Sequence, residues 1–142
     1  MTATQRLSSL ESMLAGDHHR LEHAFQAIVT RAYGGDVQEL EGQWLIFQRA
    51  LLGHLEAEEK YLIPALAQDR PGEAAVLLED HTRIRDMLLE LGIDLDLHCL
   101  RAERVDAFVE VLRAHAHREE HTFYPWADGQ MAASVAHRTR HE

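Results

Sequence analysis

The chain has one cysteine, Cys99, in 142 residues, so no internal disulfide can form and stability has to come from a buried core. No apolar run approaches the roughly 20 residues needed to span a bilayer. The opening MTATQRLSSLESML lacks the basic n-region and the continuous apolar stretch of a signal peptide, so a cytoplasmic protein is expected. Basic residues are also scarce, 14 against 24 acidic, for a formal net charge of −10. That balance argues against nucleic acid and against an anionic membrane surface as partners. No serine nucleophile elbow, phosphate-cradling glycine loop or CxxC pair is present. The length fits a single domain.

What is abundant is histidine, with 11 copies. His98, His137 and His141 fit a solvated surface, while the remainder fall in clusters together with His81. Residues 54–64 read HLEAEEKYLIP and residues 115–125 read HAHREEHTFYP. In both, a glutamate follows the histidine by four residues, a second glutamate comes next, and a proline closes the stretch. An imidazole and a carboxylate at i and i+4 share one helix face, one turn apart. The pair is a metal-binding arrangement or a surface pair, depending on which way the face points.

Helical periodicity runs almost end to end, broken at YGGD (33–36), at QDRPG (68–72) and around GIDLDLHCLR (92–101). Four long helices are predicted, over about 5–32, 37–67, 73–91 and 102–126, followed by a short tail after ADG (127–129). Asp36 reads as the N-cap of the second helix, and Pro71-Gly72 as the stop of one helix and the start of another. The expected fold is all-α, an antiparallel up-down four-helix bundle.

Apolar stripes decide where the histidines point. The second helix runs Val37, Leu40, Trp44, Phe47, Leu51, His54, Glu58, Tyr61 in steps of three and four, which places a histidine and a glutamate at core positions. The last helix gives Val105, Phe108, Leu112, His115, Glu119, Thr122, Trp126. Leu7, Leu10, Leu14, His18, Leu21, Phe25, Ile28 turn His18 inward in the first helix, and Ala74, Leu77, His81, Ile84, Leu88, Leu91 do the same for His81 in the third. Each helix thus contributes one inward histidine. At about 1.5 Å per residue, His18 and His54 lie level on either side of the first turn, and the other members fall at compatible depths. Two inward glutamates facing four inward histidines are costly unless compensated; a metal supplies that compensation, and a satisfied hydrogen-bond network in a metal-free bundle is the alternative. His19, His23, His117 and His121 fall off the stripes and read as surface, while Glu56, Glu59 and Glu120 project outward or flank the site.

The repeat extends further. DHHRLE (17–22) matches DHTRIR (80–85), so His18 corresponds to His81 across 63 residues, close to the 61 that separate the HxxxEE units. Two similar helical hairpins about a pseudo-two-fold axis make a binuclear site the natural product.

These residues resemble the hemerythrin-like, or HHE cation-binding, family, whose pattern H … HxxxE … H … HxxxE is matched over about residues 10–128. The resemblance implies one hemerythrin-like domain over 1–142, with its core at about 5–128 and a short tail at 129–142. It makes His18, His54, His81 and His115 terminal ligands, and Glu58 and Glu119 carboxylates bridging two iron ions, with an oxo or hydroxo group completing the bridge. Manganese or zinc suits the same donors. Oxygen-carrying hemerythrins have a fifth histidine one turn after the third-helix ligand, where this chain has Arg85. The matching residue of the first hairpin, Glu22, is a further candidate ligand or outer acceptor, and Arg85 is expected to pair with Glu22, to attract an anionic ligand or to make a plain surface salt bridge. The implied function is binding of oxygen, peroxide or nitric oxide for sensing, detoxification or iron handling. The alternatives are a peroxidase-like or nitric-oxide-reducing enzyme, whose redox partner the sequence does not reveal, and an iron-dependent regulatory or storage module. A monomer or a dimer is compatible with the pattern.

Overall fold

A computed structural model describes residues 3–126 and 129, with side chains from residue 16 onward. Leu7, Leu10, Leu14, His137 and His141 therefore lie outside the described side chains. Helix α1 spans Ala3–Tyr33, and α2 spans Leu40–Ala57. The chain then passes through a π-helical turn, Glu58–Leu62, into α3, Ile63–Asp69. Helix α4 covers Pro71–Asp96, and α5 covers Ala102–Arg118 before a second π turn at Glu119–Phe123. The described residues form no strand, and the helices pack as the expected all-α four-helix bundle.

The connections depart from the sequence reading in informative ways. Asp36 does not cap α2. Its N–H donates to Arg31 O (3.1 Å), and the N–H of Gly35 donates to Ala32 O (3.3 Å). With Gly35 at φ 76, this is a Schellman close, so Asp36 ends the first helix rather than opening the second. The second helix starts at Leu40 behind Glu39 at φ 64, which leaves Val37 in the connection and 57% exposed instead of on a buried stripe. Pro71 opens α4 at its first turn, where a missing N–H costs nothing. That helix continues past Gly92 to Asp96. A Cβ at Gly92 would stand 3.2 Å from Trp44 Nε1, so this glycine makes room for close helix packing rather than for a break.

The π turns were not anticipated by strict steps of three and four. Ile63 N–H donates to Glu58 O, and Tyr124 N–H donates to Glu119 O, each closing an i to i+5 turn that holds one extra residue. The extra residue rotates everything after it. Leu62 and Phe123 become fully buried, while Tyr61, expected inward, is 50% exposed and Thr122 only half-buried. Leu112 is likewise half-buried, packed at the margin of the core. Each π turn begins at the glutamate of an HxxxEE unit.

Two apolar clusters result. One gathers Phe25, Phe47, Leu51, Ile84, Leu88 and Phe108, and the other Leu62, Leu66, Leu77, Phe123 and Trp126. Burying each such side chain is worth about 1.5–3 kcal/mol. The inward histidines and glutamates lie between the clusters, as a polar layer inside an otherwise apolar bundle.

Candidate metal centre

Each long helical segment delivers its part of that layer. His18 comes from α1, His54 from α2, His81 from α4 and His115 from α5, while Glu58 and Glu119 stand at the first positions of the two π turns. Ligand-type atoms of His18, His54 and Glu119 lie within 4.8 Å of one another, and those of Glu58, His81 and His115 do the same. The carboxylates cross between the groups. Glu58 Oε1 is 3.2 Å from His54 Nε2, 3.3 Å from His81 Nε2 and 3.6 Å from His115 Nε2. Glu119 Oε1 is 3.1 Å from His18 Nε2 and 2.9 Å from His115 Nε2.

Both glutamates are 0% exposed. Burial alone would push the Glu58 carboxyl up, but the Nε2 groups of His115, His54 and His81, when protonated, hold it well below the usual range. It is therefore a buried anion. Many ligand-type atoms in this layer lack a well-aligned hydrogen bond: Nε2 of His54, His81 and His115, both oxygens of Glu58, and Oε2 of Glu119. Converging, unsatisfied nitrogen and oxygen atoms around buried negative charge fit a divalent cation in each group.

The outer nitrogens of three imidazoles are fixed by carboxylates that are themselves held by arginines. His54 Nδ1–H donates to Asp17 (3.2 Å), which pairs with Arg20. His81 Nδ1–H donates to Glu59 (2.6 Å), and Arg85 clamps Glu59 with contacts of 2.6 and 2.9 Å. His115 Nδ1–H donates to Asp80 (3.0 Å), and Arg118 clamps Asp80 at 2.7 and 2.6 Å. A proton committed to Nδ1 turns the Nε2 lone pair inward. Burial lowers the His54 and His115 affinities for a second proton, but carboxylates on both sides outweigh it and raise both above the ordinary histidine value. A cation held on Nε2 would take the place of that second proton.

His18 is the exception. Its Nε2–H donates to Glu119, and its buried Nδ1 has no hydrogen-bond partner. Burial and the neighbouring His54 push it down to about 4.

Asp17, Asp80 and the role of Glu59 were missed in the sequence. The available signal was the aspartate directly before each inward histidine in the repeated DH unit. Of the alternatives for Arg85, the pair with Glu22 does not form and a salt bridge does. Arg85 is turned to Glu59, and Glu22 accepts from Arg113 Nε (2.6 Å) across α1 and α5, so neither enters the cation groups. His19, His23, His117 and His121 are exposed, as expected, and the His117 and His121 rings lie 3.9 Å apart. Glu56 and Glu120 are exposed too, whereas Glu59 flanks the site. No helix among the described residues is long and apolar enough to cross a membrane.

No curated protein and no solved structure matches the chain. The model of the hemerythrin HHE cation binding domain does match, over residues 9–127. That span carries all of the buried histidines and glutamates described above, and the chain belongs to the hemerythrin HHE cation-binding domain family.

Proposed function

We propose that the protein is a non-haem di-iron protein that binds oxygen, peroxide or nitric oxide, with His18, His54, His81 and His115 as terminal ligands and Glu58 and Glu119 as bridging carboxylates. The observation that carries this reading is the pairing of two three-residue groups by carboxylates that each reach imidazoles of both. Two iron ions held there would supply open coordination positions and one-electron redox chemistry. The chain's residues do the rest. Asp17, Glu59 and Asp80 hold three imidazoles in the tautomer that presents Nε2 inward. Leu51, Leu55, Ile84 and Phe123, all nearly or fully buried, surround the layer with apolar side chains. Arg85, engaged with Glu59, provides no fifth imidazole, which favours a redox-active centre over a reversible oxygen carrier. Sensing, detoxification and iron handling all suit such a centre.

Elemental analysis and an absorption spectrum of protein purified from iron-replete cells test the assignment, with two irons per chain expected. Absence of stoichiometric metal would overturn it. Oxygen added to the reduced protein should give an oxidised-iron spectrum that lowering the oxygen pressure does not reverse. Many cycles of reversible oxygenation would restore the carrier reading.

A further inference from the structure

The two hairpins repeat in sequence, yet the two faces of the metal layer are not alike. By the repeat, His81, Arg85 and Glu59 correspond to His18, Glu22 and Glu120. On the first face, Arg85 pins Glu59 over His81 and seals it. On the second, glutamate replaces arginine, and Glu22 turns away to Arg113. Glu120 is left exposed, and His18 Nδ1 is left without a hydrogen bond. A cavity of about 230 Å³ opens there between α1 and α5. A water needs only about 10–15 Å³ on a comparable measure, so the space admits a cation with part of its hydration shell. Its inner wall includes His18, His54 and His115, and its outer wall the exposed His19, His117 and Glu120.

We propose that this cavity is the route by which divalent metal enters, with His117, Glu120 and His19 making the first contact at its mouth and passing the cation to His18. The proposal rests on the metal-centre reading above. His117 and Glu120, three residues apart on one helix face, offer an imidazole and a carboxylate together. Each replaces one water of an arriving aquo-cation, so no step strips the ion bare. His18 is suited to receive it, being the one inward imidazole whose outer nitrogen no carboxylate holds. Arg113 at the rim has its charge met by Glu22, and the chain's net charge of −10 draws cations overall.

The test uses the full chain freed of metal by a chelator and mixed with Co²⁺ alone, following the visible absorption of the bound ion by stopped flow and the final stoichiometry by elemental analysis. The double variant His117→Ala/Glu120→Gln should load about tenfold more slowly, as expected when local electrostatic capture is lost. Its final stoichiometry should equal that of the unaltered chain. Ala116→Trp, placed in the cavity wall, should slow loading as well. Glu103→Gln, an equal charge change at the exposed start of α5, should load at the normal rate. The route is overturned if the double variant loads normally or slows no more than Glu103→Gln. If the unaltered chain takes up no Co²⁺ at equilibrium, the metal-centre reading fails first, a result distinct from full uptake at an unchanged rate.

Discussion

Replacing Asp80 by asparagine isolates the contribution of the arginine-held carboxylates, because the side chain keeps its shape and loses only its charge. Asp80 accepts from His115 Nδ1–H at 3.0 Å and from Arg118 at 2.7 and 2.6 Å, with 10% of its side chain exposed. Burial raises its pKa, but His115 and Arg118 outweigh that and hold it at about 2, so it is charged at neutral pH. Asparagine can still accept from His115, but its amide group meets the Arg118 guanidinium donor to donor. Hydrogen bonds to charged groups are worth about 1.5–3 kcal/mol, and about 2 kcal/mol corresponds to a fall of roughly 4–8 °C in Tm for a chain of this size. Metal affinity should drop by about 10–100-fold, the usual effect of losing an outer partner of a ligating histidine. Asp17→Asn is the internal control. Asp17 is the repeat-related residue on His54, but 26% of its side chain is exposed and its partner Arg20 is more exposed still. Solvent screens that pair, and its loss should cost about 1 kcal/mol or less. Urea denaturation of metal-free protein and competition with a chromophoric chelator measure the two effects. If Asp80→Asn matches the parent in both, or Asp17→Asn proves the more damaging, the outer carboxylates do not hold the site in the way argued.

Tyr61→Ser should change stability by no more than about 0.5 kcal/mol while Leu62→Ala costs about 2–5 kcal/mol, by urea midpoints; the reverse order would remove the first π turn. His54→Ala and His115→Ala should each lose bound metal by elemental analysis, whereas His23→Ala/His121→Ala should keep two per chain. In metal-free protein, the depressed His18 binds its proton only near 4, while the unfolded chain binds one below about 6.5. The His18 contribution to stability is therefore complete above 6.5 and lost as pH falls toward 4. His54 and His115, raised, act in the opposite sense, losing their contribution as pH rises through their folded values. Subtracting a His18→Gln stability curve from the parent's isolates the His18 effect, and a difference that does not shrink on acidification would contradict it.

The helical pattern, the two hairpins and the layer of His18, His54, Glu58, His81, His115 and Glu119 were legible in the sequence because stripe position depends only on local geometry, 3.6 residues per turn. Each inward residue sits in a run of leucines and phenylalanines that has one place to go. Local rules failed where the backbone or the partner was set by distant atoms. The π turns seat Leu62 and Phe123 in the apolar cluster with Leu66, Leu77 and Trp126, and nothing in the spacing of Tyr61 or Thr122 announces the extra residue. Asp36 has the chemistry of an N-cap, but the hydrogen bond it makes belongs to the preceding helix. Arg85 and Glu22 lie at matched positions in the repeat, so their pairing was one of the alternatives the sequence left open. The tertiary structure instead sends Arg85 across to Glu59, from α4 to the first π turn, and Glu22 across to Arg113, from α1 to α5. An ion pair forms with whichever opposite charge comes within reach, and that distance is fixed by helix packing. The sequence by itself determined which histidines and HxxxE glutamates face inward and that they recur as a matched pair of donor sets. Only the packing of the four helices decided which carboxylate holds which imidazole, and which of two sequence-equivalent faces is sealed and which stands open.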